Sequence, residues 1–539
     1  MSGDPPGPEF LRRAVHSNYA ERPPVSPGDF PWVRAYVTPF SAGPGGHLSL
    51  HASTTAAEIS VRIRRDGAVP REVFAASGIA AGWQASPENL WETGCGWPVT
   101  LRIPVGEDWP SGAYVVRTEC ETKSGRDSHE QVFILRPAHQ SPKSGRILLV
   151  AATGTWAAYN DWGGTNHYEG LCGPGRNLPS PVLSLERPLA RGFVSLPPGS
   201  PRAVLRKAPG PMEAPSYPHM EWALATGHSK KYASAGWASY ERHFVAWAEA
   251  QGYAVDIVAH TDLHFRPEVL EGYRLAVTVG HDEYWSWEMR DAIDAFVEGG
   301  GRVARFAGNF LWQIRLPDEA TQVCHKYTAR QTDPLMRTGP RNRVTEAWDS
   351  PAIGRTGAAT FGLNATQGLY AGWSGTSPRG SGGFTVYRPD HWALQDTGLC
   401  YGDILGGDSA IFGYEVDGIA HEIRGGLPFP LPGHGAPEGM EILALAPAST
   451  IEEGPAIRPG ESFLGDEDAL YVAGLLTGRT DAAAVEATKR TCGCIVHFRK
   501  GGGEVFHAGT CDWVAGLARR DPMVERVTRT VLDRFLGKT

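Results

Sequence analysis

This chain has no uninterrupted apolar stretch approaching the roughly 20 residues of a membrane span. It also lacks a basic excess. Lys and Arg number 51 against 59 Asp and Glu, a net charge of −8. Phosphate binding needs a basic face, so nucleic acid is not an expected partner. The N-terminal "MSGDPPGPEFLRRAVHSNYAERPPVSPG" has no apolar signal core, and a cytoplasmic protein is expected. Cysteine is sparse. The eight are scattered, and only Cys492 and Cys494 lie close, as C-x-C, too tight for the usual zinc spacing. Reduced, buried thiols are the expectation. Familiar catalytic signatures are missing as well. There is no G-x-S-x-G elbow, no Walker loop, no G-x-G-x-x-G after a strand and no H-E-x-x-H.

What is present is length, glycine and aromatics. At roughly 100–200 residues per domain, 539 residues suggest three or four domains, or two large ones. The 66 Gly and 42 Pro, with 17 Trp, point to many loops walled by aromatics. Residues 1–30 form a Pro-rich extension that wraps or dangles. Over 31–137 short alternating runs such as "AEISVRIRRDG" and "GAYVVRTEC" predict an antiparallel β-sandwich. "PAHQSPKSG" (137–145) reads as a linker.

From residue 145 the pattern changes. "RILLVAAT", "AVDIVAH", "YRLAVTVGH" and "RVARFAGN" read as buried strands, with amphipathic helices at 239–253 and after Ser286. This alternation predicts a parallel α/β sheet over 145–313. Residues 314–489 read as a loop-rich β insertion, with short strands such as "SAIFGYEVDG" (409–418). The tail 490–539 carries a strand, a Gly turn, a strand and a closing helix, and is expected to complete the α/β unit. The fold class is therefore multidomain α+β. Its α/β part resembles the class I glutamine-amidotransferase-like fold. The Cys expected on that fold's strand-to-helix elbow is replaced in "VGHDEYW" by His281, Asp282 and Glu283.

In such sheets ligands bind beyond the carboxyl ends of the strands. Three unusual motifs stand there: "TWAAYNDWGG", "HDEYW" and "GNFLW". "GHDEYW" offers an imidazole and a carboxylate two residues apart, fit for a metal ligand and a proton-transfer group, or for a salt-bridged loop capping a helix. "TWAAYNDWGG" offers Tyr159, or an aromatic loop packed under the sandwich. A phenol with its pKa near 10 becomes a ligand at neutral pH only for a strongly Lewis-acidic, hard ion. "FGYEVDG" puts Glu415 and Asp417 on one face of an expected strand. Asn309 and Lys326 are bland alone.

Together "TWAAYNDWGGTNHYEG", "YERHFVAWAEAQGYAVDIVAHTDLH", "GHDEYWSWEMRDAI", "GNFLWQIR", "GYEVDG" and "GGGEVFHAGTCDW" resemble the N,N-dimethylformamidase large (beta) subunit family, in order from about 145 to 519. The resemblance implies a mononuclear ferric iron, Fe(III), held by two tyrosinates and a glutamate, acting in hydrolysis of a small amide. It matches Tyr159 to the first phenolate and Glu283 to the carboxylate ligand, with His281 beside it. Asn309, Lys326 and Glu415 match the polar residues around substrate and water, with Glu415 the expected general base. Trp156, Trp162, Trp285 and Trp312 are expected to wall the pocket. The second tyrosinate should fall near 185–205, where there is no Tyr; Tyr168 comes too early and Tyr217 rather late. Either another residue completes the site, or a different metal is used, or none. The resemblance also implies a small partner subunit and a homo-oligomer. Two other readings stay open: a carbohydrate-binding or sugar-pathway accessory protein whose Trp faces stack sugars, and a non-catalytic family member.

Overall fold

The computed structural model describes residues 7–15, 17–202, 217–368, 381–451 and 467–538. Parts of the N-terminal extension and of 314–489 thus lie outside the described residues, as do 203–205 at the end of the stretch expected to hold a second tyrosinate.

The alternating runs after residue 31 form two sheets. Val33–Thr38, His47–Thr54 and Val99–Pro104 make one. Ser41–Ala42, Gly125–Leu135, Gly112–Thr122, Glu58–Asp66 and Arg71–Ala80 make the other, in that order. Inward-facing Val33, Leu50, Ile63, Tyr114 and Phe133 share one apolar core. The edge strand Arg71–Ala80 is not legible in the sequence. It is largely exposed and pairs through two register shifts, so its side chains do not alternate cleanly.

The second body is built on a nine-stranded sheet. Its order is Val255–Ala259, Ile147–Ala151, Leu275–His281, Arg302–Gly308, Gly503–His507, Arg490–Lys500, Glu441–Ser449, Phe384–Val386, Ile404–Leu405. The strands from 255–259 through 503–507 run parallel, and the rest are antiparallel. The 147–151 and 275–281 strands are buried at every residue, as expected of a parallel sheet covered on both faces. The helix Trp287–Glu298 begins where Ser286 Oγ accepts the Met289 N–H at 3.2 Å. The C-terminal strands 490–500 and 503–507 lie in this same sheet, and so does 441–449 from the middle of the chain.

Residues 409–418 do not form the expected strand. Asp417 N–H bonds the Gly509 carbonyl, the Glu415 carbonyl accepts from Cys511, and the Asp417 carbonyl accepts from Cys494. Its backbone groups are spread over several neighbours, so no ladder develops, and Glu415 and Asp417 do not share a strand face. All eight cysteines are free thiols, but Cys400 is exposed and Cys172 and Cys492 are half-buried, so burial is not general. Among the described residues no helix is long and apolar enough to cross a membrane.

The sandwich docks through polar and apolar contacts. Ser41 Oγ donates to Asp262 at 2.6 Å, Trp237 Nε1 donates to Asp66 at 2.7 Å, and Tyr36 and Trp97 join the core of the nine-stranded sheet. Trp156 and Trp162 face this seam, against Phe40 at 6.3 Å and Trp97 at 6.0 Å. Both are seam aromatics, and Trp156 also lines a small cavity there with Phe40 and Leu189.

Candidate metal and amide site

The penultimate residue of the strand Leu275–His281 is Gly280, whose φ is +74°. A Cβ there would sit 2.3 Å from the Cβ of Tyr240, so the close approach requires glycine. Beyond it the chain stays extended, and successive side chains point opposite ways. Asp282 turns into the core. Arg305 pairs with it, Trp285 Nε1 donates to it at 2.8 Å, and His260 Nε2 lies 3.1 Å away. Burial pushes the Asp282 carboxyl up, but Arg305 and His260 outweigh it and hold it at about 2. Asp282 is therefore a fixed structural anion, and Trp285 is its partner rather than a pocket wall.

His281 and Glu283 point the other way. His281 Nδ1–H donates to the Ser234 carbonyl at 2.8 Å, and Nε2 lies 3.1 Å from Asn309 Nδ2. Nε2 is 3.3 Å from Glu283 Oε2. Burial raises the Glu283 pKa, but His281, Lys326 and Tyr168 outweigh it and lower it from the ordinary value.

Tyr159 ends the helix Thr153–Tyr159 that follows the first core strand. Its hydroxyl lies 2.7 Å from the Tyr168 hydroxyl. Tyr168 in turn donates to both Glu283 oxygens, at 2.8 Å each, and accepts from Tyr284 at 2.9 Å. Thus Tyr168, too early by spacing, is the phenol that meets the carboxylate, and Tyr159 meets Tyr168. The loop returns because Gly163 and Gly164 adopt φ of +91° and +99°. Asn166 then pins the loop, with its side-chain oxygen accepting from Tyr168 N–H at 2.8 Å and its amide donating to the Tyr159 carbonyl at 3.2 Å. Tyr217 packs elsewhere, with Val15 and Met220. Burial first, and Glu283 next, push both phenols well above their usual range.

Lys326 donates to the Tyr284 hydroxyl at 2.8 Å, and its Nζ lies 2.9 Å from the Tyr168 ring centroid and 4.9 Å from that of Trp312. Burial lowers its pKa to about 7, against the pull of Glu283. Of the four tryptophans, Trp312 thus borders the cluster. Lys326 and Asn309 both hold positive φ, +51° and +60°. Such strain in side-chain-bearing residues concentrates at functional sites. Asn309 Oδ1 and Glu415 Oε2 are buried and find no hydrogen-bond partner in the structure. Burial, then repulsion from Asp468, Glu283 and Asp417, pushes Glu415 well above the usual carboxylate range. Tyr414 packs edge-on to His281 at 5.2 Å. Sequence reasoning misses Tyr284 and Tyr414, each beside a residue it singles out.

A second His/Glu group, His391, His497 and Glu441, lies outside this cluster. His391 Nδ1 accepts the Ala393 N–H, so the ring proton sits on Nε2 and faces His497 Nδ1 at 3.2 Å. His497 Nε2 lies 3.3 Å from Glu504. Each nitrogen is spoken for in a hydrogen-bonded chain, and no lone pair of His391 is left for an ion.

The family model described as "N,N-dimethylformamidase beta subunit-like, C-terminal" matches residues 62–526. The chain belongs to this family. The match starts inside the sandwich, where the sequence shows no recognisable motif, and spans every residue of the phenol–carboxylate cluster. An N,N-dimethylformamidase beta subunit of Alcaligenes sp is 22% identical over 469 residues, 82% of this chain and 54% of that protein. One of Paracoccus aminophilus is 22% identical over 335 residues, 58% of this chain and 39% of that protein. The chain spans about half the length of these dimethylformamidase relatives, or less.

Proposed function

We propose that this chain is a hydrolase of the C–N bond of a small amide, dependent on a mononuclear ferric ion. The observation that carries this is Tyr168 joining Tyr159 to Glu283. Hard oxygens of the type a trivalent ion prefers converge in a buried place. Hydrogen bonds of 2.7–2.8 Å link the Tyr159, Tyr168 and Glu283 oxygens into one cluster. Tyr159, Tyr168 and Glu283 would hold the ion. Bound there, it would supply Lewis acidity to an amide carbonyl and to water.

The chain's own groups do the rest. His281 Nε2 carries a lone pair and takes the proton of the attacking water. Asn309 Oδ1, buried and free, holds substrate or water in place. Glu415 is the base that the sequence suggests. Burial pushes its carboxyl well above the usual carboxylate range, which suits the opposite role. It gives a proton to the amine nitrogen as the C–N bond breaks. Water's oxygen ends on the carbonyl carbon, and the amine leaves with the proton.

We read the parallel strands as a class I glutamine-amidotransferase-like unit made of 145–313 and 490–539, with 314–489 inserted and 31–137 as a separate sandwich. The relatives' names as beta subunits support a partner subunit here as well. A sugar-binding role has less support. A groove of about 590 Å³ on the sandwich is lined by charged residues such as Arg117, Arg126 and Glu119, with no tryptophan.

Metal analysis of the purified protein tests the reading. We expect about one iron per chain and a visible tyrosinate charge-transfer band, with amine release from small formamides. An iron-free protein that still releases amine would overturn the metal; a loaded protein inert on all amides would overturn the reaction.

A further inference from the structure

The site's second phenol sits on a loop, and loops need anchors. Tyr168 follows the Gly163–Gly164 turn and precedes Glu169, and neither neighbour belongs to a strand or helix. The N-terminal segment, expected to wrap or dangle, runs across this loop. The Gly163 N–H donates to the Glu21 carbonyl at 2.8 Å, and Asn18 Nδ2 donates to the Gly170 carbonyl at 2.8 Å. The segment is tied down on either side of these bonds. Arg34 of the sandwich pairs with the Glu21 carboxylate. Upstream, Val15 packs against Met220.

A side chain from outside both segments also joins strap and loop. Lys230 is a buried ammonium with three donors. They go to the Val15 carbonyl at 3.1 Å, the Ser17 carbonyl at 2.6 Å and the Glu169 carboxylate at 2.8 Å. Two bonds hold the strap and the third holds the residue next to Tyr168. All three donors are used within the protein, so this lysine has no donor left for substrate. A buried ammonium satisfied in this way is costly to disturb, because its partners lose charge-assisted bonds together.

We propose that Val15 and residues 17–22 are a strap that holds the Tyr168 loop in its ligating position, and that Lys230 is the positioning residue locking strap to loop. This rests on the reading of Tyr168 as a metal ligand. The strap would act before any metal arrives, by limiting the loop to the conformation in which Tyr168 meets Glu283. That is preorganisation of a donor on a segment with no secondary structure of its own.

The test uses the full chain, metal-free, in two variants. Lys230→Met removes the lock. Asn18→Ala removes a single bond from a half-exposed side chain and leaves the core alone. Hydrogen exchange is followed at 163–172 and, for reference, at the core strands 275–281 and 302–308. We expect exchange at 163–172 to rise about tenfold or more in Lys230→Met, and less in Asn18→Ala, with the core strands unchanged. Each protein is then loaded with ferric iron and challenged with a chelator, and both variants should release iron faster than the parent. Unchanged exchange at 163–172 in both variants overturns the strap, and so does a rise shared equally by the core strands. If exchange rises at 163–172 but the parent chain takes up no iron, the strap stands and the ligand role of Tyr168 falls.

Discussion

The Tyr168 hydroxyl lies 2.8 Å from each oxygen of the Glu283 carboxylate, 115 residues away in sequence. Tyr159 and Tyr284 reach the same phenol oxygen, at 2.7 and 2.9 Å. Tyr168 is therefore the hub of the cluster, and its replacement is the most informative. Tyr168→Phe keeps the ring and removes the donor. We expect the visible band and bound iron to be lost and amine release to fall at least about 100-fold, roughly 2.7 kcal/mol of barrier. Tyr284→Phe, one step further out, should keep most of the iron. Equal iron in Tyr168→Phe and the parent, by elemental analysis, would remove Tyr168 from the ligand set.

Adjacent residues of one motif should separate cleanly. Asp282 and Glu283 are both buried carboxylates, but Asp282 pairs with Arg305 and Glu283 meets phenols. Asp282→Ala strands a buried guanidinium, and urea unfolding should show a loss of about 3–5 kcal/mol. Glu283→Gln keeps the size and an acceptor oxygen. It should cost no more than about 1–2 kcal/mol in stability and yet abolish iron binding. A reversal of these two phenotypes would mean that the strand end faces the wrong way.

Glu415→Gln tests the acid. The carboxyl is buried, one of its oxygens is unpartnered, and burial raises its pKa. The amide side chain cannot deliver a proton to a leaving amine. Iron content and melting should stay as in the parent, and turnover should fall about 100-fold. The loss should be smaller for amides whose amine leaves easily without protonation. A uniform loss across leaving groups would return Glu415 to a role in holding water.

The parallel strands are legible because burial on both faces writes near-continuous apolar runs such as "ILLVA", and Ser286 marks its helix start. The site is half legible. Tyr159, His281 and Glu283 flank strand ends, where local pattern fixes direction. Tyr168 is not legible, because its place depends on a glycine turn and on contacts from residues 17–22, a distant segment. "GYEVDG" misleads for a related reason: alternation in six residues cannot say whether a ladder partner exists. The tryptophans are ambiguous in principle, since a seam and a pocket ask for the same side chain.

Stability against pH offers a test that needs neither metal nor substrate. Glu241 is buried, its Oε1 accepting from the Ala152 N–H and the Trp156 indole while Oε2 has no partner. Burial raises its pKa from 4.5 to about 8. Between these values the folded chain keeps a proton that the unfolded chain has released. The folded state therefore binds more protons, and stability falls as pH rises through the window. Buried His129 and His167 act oppositely. Burial lowers both from 6.5 to about 3, so they add stability as pH rises to 6.5 and are silent above it. Lys326, lowered by burial from 10.5 to about 7, also acts oppositely above pH 7, so it is the difference between the parent and Glu241→Gln from pH 6.5 to 8 that isolates Glu241. By urea unfolding the parent should lose up to about 2 kcal/mol relative to that variant across this range, at about 1.4 kcal/mol per unit. Glu241→Gln keeps the Oε1 bonds and cannot ionise, so its stability should gain on the parent's steadily over the range, with the largest difference at pH 8. Parallel curves for the two proteins would mean that Glu241 is already charged in the folded state, with a counter-charge supplied by a neighbour.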